Sequence, residues 1–147
     1  MSLKTRIAED MKAALRARES GRLSAIRLLL AAVKQREIDE RCELDDAGVI
    51  AVIDKLIKQR RESAAQYETA GRPELAAAER AEIEVLKAYL PQPLSSDELD
   101  ALVRQALSET AAAGARDIGK VMAWLKPHVT GRADMAAVSA RVKAALG

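Results

Sequence analysis

Several residue types that often mark a reaction centre are scarce or missing. Phenylalanine is absent, aromatics make up 2% of 147 residues, and the chain has one Trp, one Cys and one His. A single cysteine, Cys42, rules out an intrachain disulfide. With Cys42 and His128 the only residues of their kinds, a Cys/His metal site is excluded too. Charge of one sign is also lacking: 24 basic against 22 acidic residues leave +2, so bulk charge gives no polyanion signal. The halves repeat the balance, with 17 against 16 in residues 1–90 and 7 against 6 in residues 91–147. The longest apolar run, Leu23 to Val33, is interrupted by Arg27 and too short to span a bilayer. No Gly-x-Ser-x-Gly elbow, no glycine-rich loop before Lys-Ser or Lys-Thr and no alternating β pattern occurs.

What remains is rich in Ala, Leu, Glu, Lys and Arg, side chains that lose little on entering a helix. The reading is all-α. A first helix is expected over 2–18, with Leu3, Ile7, Met11 and Leu15 as its apolar stripe and Gly21 as the break. A second, over 22–41, turns Leu23, Ile26, Leu29, Leu30, Val33 and Ile38 inward. Asp45 or Asp46 caps a third reaching Ala70, closed by Gly71. Pro73 opens a fourth. Pro91 and Pro93 stop it and form a connector. Ser95 with Glu98 then offers a capping box for a fifth helix reaching about Ala113, ended by Gly114. The expected organisation is an N-terminal helical domain of about four helices over 1–90, a proline linker at 91–94, and a small three-helix tail domain over 95–147.

The densest cluster of informative residues lies at 117–134. Asp117 is placed to cap a sixth helix over 118–125, Pro127 and Gly131 to end it, and Asp134 to cap a seventh over 135–146. The product is a positively charged elbow at Gly131-Arg132. Lys120, Lys126 and Arg132 surround it, with Arg141 and Lys143 on the last helix. Cations beside a glycine turn and exposed helix ends suit phosphate groups. A second basic group, Lys55, Lys58, Arg60 and Arg61, falls on the third helix, where a solvated face is the preferred reading. His128 is read as meeting the last carbonyls of its helix rather than as a base. Trp124 is read as a core anchor rather than a stacking surface, and Cys42 as an ordinary thiol.

A family resemblance joins these segments. The run Arg27-Leu28-Leu29-Leu30-Ala31-Ala32-Val33-Lys34 with Ile38-Asp39 resembles the GatB/YqeY family. So do Lys58-Gln59-Arg60-Arg61-Glu62-Ser63, Tyr67, Ala70-Gly71-Arg72 and Tyr89-Leu90-Pro91-Gln92-Pro93-Leu94-Ser95. Gly119-Lys120-Val121-Met122 and Gly131-Arg132-Ala133-Asp134 fit the same pattern. The resemblance spans nearly the whole chain and is to a stand-alone YqeY-like protein. It implies an all-helical fold whose tail is similar to that of the GatB component of the tRNA-dependent amidotransferase. In that enzyme the GatB tail contacts tRNA while other domains carry the chemistry. No counterpart of GatB's cradle domain is present in these residues, and fold alone does not transfer an activity.

The leading expectation is therefore a tRNA-binding or tRNA-associated accessory protein with no complete active site, no catalytic residue of its own, no metal and no cofactor. Its candidate contacts are Lys120 and Arg132 first, then Lys126, Arg141 and Lys143, with Lys58 and Arg61 on the third helix. A second reading is a component of a glutamine-dependent amidotransferase, a carbon–nitrogen ligase acting with other subunits. A third is a helical protein-interaction module without RNA. Neither DNA nor a membrane is an expected partner. Met1-Ser2-Leu3-Lys4 runs straight into an amphipathic helix, so a cytoplasmic location is the default expectation.

Overall fold

A computed structural model describes residues 1–147. The chain is all-α: α1 (Leu3–Arg16), α2 (Ser20–Glu40), α3 (Asp46–Thr69), α4 (Pro73–Lys87), α5 (Ser96–Glu109), a short 3-10 turn (Ala115–Asp117), α6 (Ile118–Val129) and α7 (Met135–Leu146). Two compact units result, Met1–Leu90 and Pro91–Gly147.

Capping chemistry sets most starts. Ser2 Oγ accepts from the Thr5 N–H at 3.1 Å. Asp45, rather than Asp46, accepts from Gly48 at 2.9 Å. Ser95 and Glu98 form the reciprocal capping box. Pro73 occupies the first turn of α4, where its missing N–H has no intrahelical partner to lose. Asp117 and Asp134 precede α6 and α7, but neither side chain makes the capping bond expected of it.

Helix ends depart most from the sequence expectation. The α3 terminus is closed by Gly71 at φ 73°, with Arg72 N donating to Tyr67 O and Gly71 N to Glu68 O. The same pair of bonds closes α1, α2 and α5, but with Arg18, Arg41 and Ala111 in the left-handed position at φ 59°, 55° and 53°. The motif needs one left-handed residue, and here three non-glycines accept its strain. Gly21 therefore lies in the first turn of α2, and Gly114 lies beyond α5, just before the 3-10 turn. Pro127 does not end α6. It forgoes one N–H bond, and Thr130 N and Oγ1 both reach Lys126 O, at 3.1 and 2.7 Å.

Two expected core residues face outward. Leu15 is 56% exposed and Ile38 is 59% exposed. A four-residue spacing drifts by about 40° per step against the helix period, so the Leu3–Ile7–Met11 stripe rotates off the core and Ala14 is buried instead. Ile38 lies five residues after Val33, roughly 140° around the helix.

The N-terminal core gathers Ile7, Ile26, Leu29, Val33, Val49, Ile53, Ile57 and Leu86. Tyr89 completes it and donates to Asp10 Oδ2 at 2.6 Å, with the Arg6 guanidinium 5.1 Å above its ring. Burial first, then the Asp10 contact, push the phenol up to about 12. The tail has its own core of Leu99, Val103, Val121, Leu125, Val129, Val138 and Val142. No helix is long and apolar enough to cross a membrane.

Candidate nucleic-acid interface

The elbow between α6 and α7 is built around Gly131, which is buried at φ 77°. Only glycine enters this region without steric cost. The turn folds back so that Arg132 N and Ala133 N both donate to Val129 O, at 2.9 and 3.0 Å. Arg132 then does something its sequence position did not announce. Its Nε donates to Gln92 O at 2.9 Å, its carbonyl accepts from Leu94 N at 2.9 Å, and its Nη2 lies 3.9 Å from Glu98. Arg132 thus binds residues 92–98 to the elbow, with its side chain about one-third exposed.

Arg141 is engaged in the same way. It donates to the Ser96 carbonyl and Oγ at 3.2 and 2.8 Å and pairs with Asp100. It anchors α7 to the start of α5. Asp117 closes the preceding loop, accepting from Ala113 N at 2.8 Å. That bond, more than the neighbouring Lys120 and Arg116 charges, holds its carboxyl below the usual range. Lys120 lies 4.0 Å from Asp117, a loose contact, and its side chain is 53% exposed. Lys126 and Lys143 are exposed on α6 and α7, outside the tail's three ion pairs. Of the five tail cations proposed from sequence, two arginines have intramolecular work and three lysines point to solvent.

The basic group on α3 is not one face. Steps of three residues rotate by about 60° the other way, so Lys55 and Arg61 diverge. Lys55 lines a cleft beside α2 with Gln35, Arg36, Asp39 and Leu56. Arg61 lines another beside α4, with Arg80, Lys87, Ala77 and Ala81. Lys58 pairs with Asp54 at 3.4 Å. Arg60 is 16% exposed, 3.1 Å from Glu82 and 3.7 Å from Glu79. Its Nε is not aligned for a hydrogen bond, so the contact is electrostatic.

Trp124 packs on the tail core and donates its indole N–H to Glu109 at 2.8 Å. His128 Nδ1 sits 3.0 Å from the Trp124 carbonyl, and the two rings stack. Their i, i+4 spacing was the available sequence signal for this pairing. No group of three or more His, Cys, Asp or Glu side chains converges on a metal-sized site.

Comparison with known proteins adds the family. The model for the Yqey-like protein family matches residues 4–146. The chain is 34% identical over 142 residues to Altered inheritance of mitochondria protein 41, mitochondrial, of Eremothecium gossypii, covering 94% of this chain and 77% of that one. It is 38% identical over 104 residues to the protein of that name from Lachancea thermotolerans, covering 69% of this chain and 56% of the relative. The Pyrenophora tritici-repentis relative is 29% identical over 145 residues, covering 97% and 80%. The chain thus spans little more than half of one relative and about four-fifths of the others. These names contradict the cytoplasmic location expected from the sequence, because the relatives are designated mitochondrial. With the family match running almost end to end, the chain belongs to the Yqey-like protein family.

Proposed function

We propose that the chain is a tRNA-binding or tRNA-associated accessory protein, and that its tail makes the principal contact. The observation that carries this reading is the division of labour among the tail cations. Arg132 and Arg141 hold the unit together, while Lys120, Lys126 and Lys143 are left outward without a close ion pair. The likeness of the tail to that of GatB in the amidotransferase supports RNA as the anion. Arg61 is a secondary contact, while Arg80 and Lys87 beside it in the α4 cleft are already paired with Glu68 and Glu84. Lys58 is a weaker one, since Asp54 already pairs with it.

A small set of cations displaces few counterions, so binding is modest and salt-sensitive. The test is a titration of the full chain with bulk deacylated tRNA at low and moderate salt. Lys126→Ala and Lys143→Ala should each weaken binding and flatten the salt slope by about 1. An unchanged slope in the double variant would remove the tail from the assignment. In view of the relatives' names, mitochondrial tRNA belongs in the same titration.

A role as a component of a glutamine-dependent amidotransferase rests on the GatB likeness alone. Stimulation of tRNA amidation by added chain supports it, and absence of both stimulation and co-purifying amidotransferase components counts against it. The protein-interaction reading has one observation in its favour. The open cleft between α2 and α3, about 540 Å³, has apolar walls at Ala32, Val52 and Leu56, and α2 also exposes Leu28 and Ile38.

A further inference from the structure

The chain's sole Trp and sole His lie one turn apart on α6 with ring centroids 4.4 Å apart and planes inclined by 13°. Both rings are held. Trp124 packs one side on the tail core and donates to Glu109 Oε2 at 2.8 Å. The other Glu109 oxygen accepts from Gln105 at 3.1 Å, so α5 fixes the carboxylate that fixes the indole. His128 is tied by its Nδ1 to the Trp124 carbonyl at 3.0 Å. His128 is exposed, so its ring adds little to the core. It overlies Trp124 and turns its other face to solvent.

Lys120 stands one turn before Trp124. Residues 120, 124 and 128 drift by about 40° per step, so Lys120 lies roughly 80° around and about 12 Å along α6 from His128, beyond Trp124. An aromatic face backed by a second ring, with an exposed ammonium two turns back along the helix, supplies the two parts of a single-stranded nucleic-acid site: a platform for a base and a charge for a phosphate further along the strand. A sequence with 2% aromatics has few places for such a stack. Asp117 and Glu109 temper the local positive charge, which puts the weight of the interaction on stacking.

We propose that the solvent face of His128, backed by Trp124, stacks an unpaired base of RNA while Lys120, about 12 Å back along α6, meets a phosphate further along the strand. This rests on the RNA-binding reading and deepens it by naming single-stranded RNA as the form engaged at this point.

Trp124 is its own reporter, since no other tryptophan contributes to the emission. The full chain is titrated with a short single-stranded oligoadenylate, with tRNA and with heparin, following both fluorescence and binding. Oligoadenylate is expected to change Trp124 emission by pinning the His128 ring against the indole, and heparin, a polyanion without bases, to bind without that change. His128→Ala should weaken oligoadenylate binding by roughly five-fold or more, while His128→Phe, which keeps a ring, should largely retain it. Salt-sensitive binding of oligoadenylate and tRNA with no change in Trp124 emission and no loss in His128→Ala would overturn the platform and leave the RNA-binding reading standing. No binding of either RNA would overturn both.

Discussion

In residues 1–90 both lysine and arginine tie helices to one another. Arg60 of α3 sits between Glu79 and Glu82 of α4, Lys4 of α1 meets Glu37 of α2 at 2.6 Å, and Arg80 of α4 reaches Glu68 of α3 at 2.6 Å. In residues 91–147 such work falls to Arg132 and Arg141, and the lysines of α6 and α7 face outward. The two halves have the same small charge excess, so net charge hides the difference. Arginine suits the structural role, because its planar fork bonds two acceptors at once. Lysine is a hydrated point charge and is less costly to leave in water. The lesson is that a candidate anion contact is identified by what its charge is already doing, and by that standard Arg132 yields first place to Lys126 and Lys143.

The largest effects should come from each core, and they test whether the cores are separate. Ile53→Ala and Leu125→Ala each remove a fully buried side chain and should cost roughly 2–5 kcal/mol. Hydrogen exchange should accelerate in residues 1–90 for the first and in residues 91–147 for the second. Uniform acceleration across the chain in both variants would erase the distinction.

Next come the left-handed residues. Gly131→Ala should destabilise the tail by roughly 1–2 kcal/mol, measured by chemical denaturation. Ala111→Gly, at φ 53°, should act oppositely and stabilise it by up to about 1 kcal/mol. Gains at both positions, or losses at both, would contradict the turn assignments.

Two pH effects belong to the N-terminal unit alone. The Tyr89 phenol is raised from 10.0 to about 12, so the folded state keeps a proton that the unfolded chain releases first. Its contribution is full below pH 10 and disappears as pH rises towards 12, and Tyr89→Phe should flatten the profile across that window. The smallest effect is at Glu37, whose carboxyl is held below its ordinary 4.5 by Lys4 first and then by the Leu44 N–H. Its contribution is present above that value and fades as pH falls through the lower folded value. Glu37→Gln should remove this acid-side dependence in urea midpoints taken across the range.

Much of the fold was legible because helix composition, capping residues and apolar spacing agree with one another. The all-α class, a cap at Asp45 or Asp46, the Ser95–Glu98 box, Gly71 and Pro73 all follow from local chemistry. What escaped was set by tertiary demand. A left-handed Arg18, Arg41 or Ala111 carries no glycine to announce it, and Asp117 finds a better donor in Ala113 N than in the first turn of α6. At the candidate site the residue types were visible but their occupations were not. That Arg132 reaches Gln92, forty residues away in sequence, belongs to the folded chain only. The Trp124–His128 stack had a helical spacing that allowed it, but a lone aromatic reads as core until its neighbour's exposure is known.

The most direct test of the central claim is hydrogen exchange of the full chain with and without saturating tRNA. The account predicts the strongest protection in α6 and α7, at most a weaker change beside Arg61, and loss of the tail protection in the Lys126→Ala, Lys143→Ala double variant. Protection confined to residues 1–90, or none at a tRNA concentration that saturates binding, would contradict it.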